Sequence, residues 1–198
     1  MCIRDRADKI LSGSEDLAGL YNQDSYGVDL RNQLDAISKV IGGKFELNNK
    51  TKQLAFNQDG HMVPPVSVAS GVKSFGVMQR LIQTDSISTF KMLVWDEPEI
   101  HLHPEWQIVF SRMIVELVAK GVPIVVSSHS PYFVQALRYF ASAKGIEKDV
   151  KYYMAEESDE TMLATVKEVT DDLNCIFTRL AAPLRDIMNV DAVRNSMK

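Results

Sequence analysis

Cysteine is scarce in this chain. Cys2 and Cys175 are the whole supply among 198 residues, too few and too far apart for a disulfide framework. A reducing cytoplasm is the expected location. No uninterrupted apolar run approaches the roughly 20 residues that span a bilayer. The opening Met1-Cys2-Ile3-Arg4-Asp5-Arg6 lacks the apolar core of a secretory signal. No membrane partner is expected. Positive charge is not in excess either: the net charge of -4 argues against a generic polyanion binder, while leaving room for a local basic patch. Internal repeats and low-complexity linkers are absent. What is present is a 45% hydrophobic, 24% charged chain, which can enclose one ordinary core plus a small appendage and is not wholly disordered.

Periodicity gives the layout. Asp29 to Ile41 carries Leu30, Leu34, Ile37, Val40 and Ile41 at helical spacing, with Gly42-Gly43 as a stop. Lys44 to Leu47 and Gln53 to Phe56 read as a hairpin around Asn48-Asn49-Lys50-Thr51-Lys52. Val63 to Val68 contains Pro64-Pro65, which makes it an edge or a loop entry. After Gly71, the spacing of Val72, Phe75, Met78, Leu81 and Ile82 predicts an amphipathic helix.

Met92 to Trp95 is a short apolar run ending in Asp96-Glu97, as in a buried parallel strand with acids at its tip. Pro104 opens a helix that Trp106, Val109, Phe110, Met113, Ile114, Leu117 and Val118 continue to Gly121. Val122 to Val126 reads as a second strand, ending in Ser127-Ser128-His129-Ser130. Phe133, Leu137 and Phe140 mark another helix, and Val150 to Met154 a further strand. Asp172 to Met188 is helical by pattern, interrupted by Pro183. Alternation of strand and helix predicts an α/β fold, with a mainly parallel sheet and flanking helices. Ligands of such sheets bind just beyond the strand ends.

Two consecutive carboxylates delivered into a crevice are expensive unless something compensates them. A magnesium ion held by Asp96 through water would do so, and Glu97 would then be free to polarise an attacking water. A lone Asp-Glu after a strand serves most simply as a cap for the next turn. The neighbouring strand, ending at Ser128-His129, changes that balance. In phosphoryl transfer, positioning and electrostatics are most of what a protein contributes.

Val94-Trp95-Asp96-Glu97-Pro98-Glu99-Ile100-His101-Leu102-His103-Pro104 resembles the Walker B segment of ABC-type AAA ATPases, relatives of SMC proteins and of the overcoming-lysogenization-defect ATPases. Val125 to Pro131 resembles their switch-histidine strand, and Ser70-Gly71 the remnant of their signature motif, with Val72 and Lys73 in place of the usual glycine and glutamine. The resemblance spans roughly residues 66 to 140, in the family's order. It implies a P-loop NTPase-like, ABC-type fold that dimerises around ATP and magnesium. It further implies that Asp96 holds the metal's water shell, Glu97 orients the hydrolytic water and His129 senses the γ-phosphate. Ser70, Gly71 and Lys73 would meet the nucleotide of a partner subunit at a helix N-terminus. Glu99 to His103 lies where the family places residues that cross the dimer interface. The tail, Cys175 to Leu184, is similar to the ends of antiphage-defence ATPases that pair with an HNH nuclease, so a nuclease partner or DNA is an expected context.

One departure is large: no G-x-x-x-x-G-K-[ST] loop occurs in the sequence. The expectation is therefore the C-terminal part of a longer ATPase. It comprises an incomplete N-terminal α+β region (1–65), the ATPase part (66–170) and a helical tail (171–198). Met1 to Arg6 resembles translated adapter sequence. Alone, such a chain should bind nucleotide poorly. Competing readings are a metal-dependent hydrolase using His101 and His103 with Glu97, Glu99 and His129, and a non-enzymatic ATP-gated interaction module. A serine hydrolase is weaker, since Ser128 and Ser130 lack a G-x-S-x-G elbow.

Overall fold

The computed structural model describes residues 27–49, 51–84, 86–87, 92–157 and 164–188. The reading of Met1 to Arg6 lies outside the described residues. The chain divides into two compact units, Met1–Ser128 and His129–Lys198.

In the first unit, helix α1 spans Gly27–Ile41 and buries Ile37 and Ile41. It leads into an antiparallel sheet of β1 (Lys44–Leu47), β2 (Leu54–Gln58) and β3 (His61–Val63), in that order, with Phe45 opposite Phe56. β3 is an edge strand, and Pro64 turns the chain into a short 3-10 turn at Pro65–Ser67, as the paired prolines foretell. Helix α2, Ser70–Gln83, buries Phe75, Met78 and Gln79, and meets this sheet through Gly76 and Gln79 at Phe45. The Gln79 amide binds the Phe45 N–H through Oε1 at 3.0 Å and donates to Ser38 Oγ at 3.1 Å, so one side chain ties α1, β1 and α2 together. Gly76 leaves room for the Phe45 ring; a Cβ there would collide with it.

Strand β4 (Leu93–Asp96) and strand β5 (Ile124–Ser127) run parallel, joined by helix α3 (Pro104–Ala119). A parallel pair requires such a crossover. Leu93 and Trp95 face inward, and Trp95 meets Phe110 of α3 edge-on at 5.3 Å. Phe110 in turn meets Phe75, which meets Trp106, so the aromatic stack joins β4, α3 and α2 beneath the strand tips. The opposite face of the pair leaves Val94 and Val125, register partners, exposed.

The second unit begins with helix α4 (Pro131–Ala143), capped by Ser130, whose Oγ accepts from the Phe133 N–H. Strands β6 (Tyr153–Glu157) and β7 (Ala164–Glu168) follow, then helix α5 (Asn174–Met188). β6 pairs antiparallel with β7 and not with the parallel strands. The reason lies in composition: Ala164-Thr165-Val166-Lys167-Glu168 is exposed throughout and suits a two-stranded ribbon in water better than a buried layer. Helix α5 continues through Pro183. Among the described residues the parallel part of the fold is thus the β4–β5 pair. No helix of the described residues is long and apolar enough to cross a membrane.

Candidate functional site at the tips of the parallel strands

The register pairs Asp96 with Ser127, so the last residues of the two strands stand side by side. The Ser127 hydroxyl donates to Asp96 Oδ1 and accepts from the Glu97 N–H at 3.0 Å. One hydroxyl therefore fixes the first carboxylate and the backbone that carries the second. Hydrogen bonds to a charged acceptor are worth about 1.5–3 kcal/mol. Asp96 is exposed and Glu97 half-buried, so both carboxylates keep access to solvent.

Beyond Glu97 the chain turns sharply. Glu97 and His101 have φ of +43° and +64°, left-handed conformations that non-glycine residues adopt at a cost of about 1–2 kcal/mol. The turn is closed by Ile100 N–H on the Glu97 carbonyl at 3.1 Å and Leu102 N–H on the Glu99 carbonyl at 3.0 Å. Pro98 is fully buried, and Glu99 is only 5% exposed. Glu99 Oε1 accepts the Ser128 hydroxyl, while Oε2 is buried with no partner among the described residues. Two neighbouring serines of β5 and its exit thus each hold one acid of the Walker B-like segment.

The start of α2 also reaches this turn. Gly71 is buried, and a Cβ on it would lie 2.9 Å from the His101 carbonyl oxygen and 3.1 Å from Leu102 Cδ2. Ser70 is exposed and Lys73 half-buried in the same helical turn. The N-terminus of α2 has no side-chain cap and no acid in its first turn, leaving its N–H groups and dipole uncompensated. His129 is exposed and directly follows Ser128, opening the second unit just before the Ser130 cap of α4.

The metal-hydrolase alternative finds little support in these positions. Among the described residues no group of three His, Cys, Asp or Glu side chains is placed to hold a metal ion. His103 serves instead as the N-cap of α3, its Nδ1 accepting from the Glu105 N–H. Glu99 is turned inward to Ser128. Asp96 with the Ser127 hydroxyl offers hard oxygen donors at an exposed tip, which suits magnesium bound largely through its own water.

Sequence reasoning singled out Asp96, Glu97 and Ser70-Gly71, but not the parts played by Ser127, Ser128 and Glu99. Aligning the apolar runs Leu93–Asp96 and Ile124–Ser127 tip to tip would have found Ser127. No comparable signal marks Glu99 as buried, since acids rarely are.

Acids at one strand tip are thus held by hydroxyls from the next, across a helical crossover, in an α/β arrangement. The chain belongs to the family described as "AAA domain, putative AbiEii toxin, Type IV TA system", whose model matches residues 6–135. It is 33% identical to the Septu protein PtuA of Bacillus thuringiensis over 66 residues, 33% of this chain and 16% of that protein. Among solved structures it resembles the SmcHead bound to the C-winged helix domain of ScpA, with a TM-score of 0.57 and 13% identity. That match covers 87% of this chain and 56% of the other. It also resembles the Smc head domain with an extended coiled coil bound to the C-terminal domain of ScpA derived from Pyrococcus furiosus. There the TM-score is 0.51 and the identity 13%, over 78% of this chain and 37% of that one. The fold is therefore that of SMC heads, and the chain spans only part of the length of each of these relatives.

Proposed function

We propose that this chain supplies the Walker B, switch-histidine and signature elements of an ABC-type ATPase that hydrolyses ATP with magnesium at a dimer interface. The observation that carries the reading is the Asp96–Ser127 register, with the Ser127 hydroxyl linking Asp96 Oδ1 to the Glu97 N–H. It brings a metal-competent carboxylate and a second acid to one tip, immediately before the strand exit that leads to His129.

In this mechanism Asp96 would hold magnesium through its water shell, and the metal would supply positive charge to offset that developing on the phosphates. Glu97 orients the attacking water and accepts its proton. His129 donates a hydrogen bond to the γ-phosphate. Ser70, Gly71 and Lys73 meet the nucleotide held by the other protomer, where the uncapped N–H groups of α2 favour an anion. A phosphate loop, which these 198 residues do not contain, is supplied by another part of the same protein. The functional division we propose runs 1–65, 66–170 and 171–198, with β4–β5 as part of a larger parallel sheet. We further propose a cytoplasmic setting and a role in antiphage defence or DNA transactions, with a nuclease or DNA as partner, the context that the resemblance of the tail, Cys175 to Leu184, implies.

The test is Glu97→Gln in the complete protein. It should retain ATP while kcat falls by about 100-fold or more, since general bases typically contribute 10²–10⁴. Undiminished hydrolysis would remove Glu97 from the mechanism.

A further inference from the structure

The buried acid of the turn is not used by the mechanism above. Glu99 is 5% exposed, accepts from Ser128 through Oε1, and leaves Oε2 buried without a partner among the described residues. Burying a carboxylate is costly, and a single hydroxyl compensates it only in part. A merely structural turn has cheaper options: Pro98 is already buried, and the Ile100 and Leu102 N–H groups already close it. What Glu99 adds is a grip on Ser128, the last residue of the first unit and the one bonded to His129. Ser127, one residue earlier, is held by Asp96. Successive residues of an extended strand point to opposite sides, so neighbouring serines held by separate carboxylates fix both the position and the roll of the backbone as it leaves β5.

We propose that Glu99 is a positioning residue for nucleotide turnover, acting through the Ser128 hydroxyl to set the backbone from which His129 projects. The inference rests on the ATPase reading. It requires an acceptor at 99 and a hydroxyl at 128, and it gives Glu99 no proton to transfer.

In the complete protein, Glu99→Ala and Ser128→Ala should each lower kcat by about tenfold, the scale of one hydrogen bond to a charged group. KM for ATP should stay within about twofold. The double variant should be no slower than the slower single variant, because both remove the same link. Glu99→Gln and Ser128→Thr, which preserve acceptor and hydroxyl, should stay near the parent rate. Amide exchange at Ser128 and His129 should quicken in both alanine variants without nucleotide, while β4 keeps its protection. Should Glu99→Ala fail to fold, the Ser128→Ala and Ser128→Thr pair reads the same link. Losses that multiply to about a hundredfold, unchanged kcat in the alanine variants, or a Glu99→Gln as slow as Glu99→Ala would each overturn the proposal. A parent protein without ATP turnover would overturn the ATPase reading itself, and this proposal with it.

Discussion

Gly71 lies against the backbone of His101, so close that a methyl group on it would sit 2.9 Å from the carbonyl oxygen. The first turn of α2 and the turn that follows the paired acids are thereby fitted to each other within one chain. The close approach gives Gly71 a packing role that does not depend on any nucleotide.

Gly71→Ala should therefore destabilise the fold, by about 1–3 kcal/mol, because the obstacle is backbone and not the end of a flexible side chain. Thermal melting checks this, with Ser70→Ala at the exposed neighbour as the control that should melt like the parent.

Ser127→Ala should act on chemistry more than on stability. It removes the donor on Asp96 Oδ1 and the acceptor for the Glu97 N–H at an exposed strand tip. A fall in kcat of about 10- to 100-fold is expected, together with a higher magnesium requirement. Ser127→Thr, which keeps the hydroxyl, should recover most of the rate. Steady-state assays of the complete protein across a magnesium series decide it.

Gln79→Leu should lower stability by about 1–3 kcal/mol despite its apolar surroundings. Leucine fills similar space but leaves the buried Phe45 N–H without the Gln79 oxygen. Urea denaturation should show a lower midpoint with an unchanged slope.

Acid should weaken the β1–β2 hairpin through Glu46. Burial alone would raise its pKa, but hydrogen bonds from Lys44 and Asn57 and the Lys44 charge win, holding it below the ordinary 4.5. A carboxyl depressed in the fold contributes stability above its unfolded pKa and loses it as pH falls through the folded value. Comparing melts from pH 6 down to pH 3, Glu46→Gln should lose less stability than the parent, by about 0.2–1 kcal/mol.

The elements most legible in the sequence were those in which a local pattern and the tertiary packing agree. Lys44–Leu47 forms β1 as read, and Pro104 with the stripe from Trp106 to Val118 gives α3, because that stripe is the face that covers β4. The acids at the tip of β4 were legible for the same reason, since an apolar tetrad can only deliver them outward. Where pattern and packing part, reading failed. Val150 to Met154 reads as a further strand of the alternating layout, but β6 starts at Tyr153 and pairs antiparallel with β7, a short strand that the periodicity did not single out. Pro183 reads as a break, yet α5 runs through it. Glu99 was invisible as a buried group because its burial depends on Ser128, a residue from a different strand exit.

The left-handed backbone at Glu97 sets comfort of the chain against the group it carries. Glycine or asparagine would sit there with less backbone strain. The residue that eases the chain at this point is thus one that lacks the acid, so heat resistance and turnover can move in opposite directions when position 97 changes.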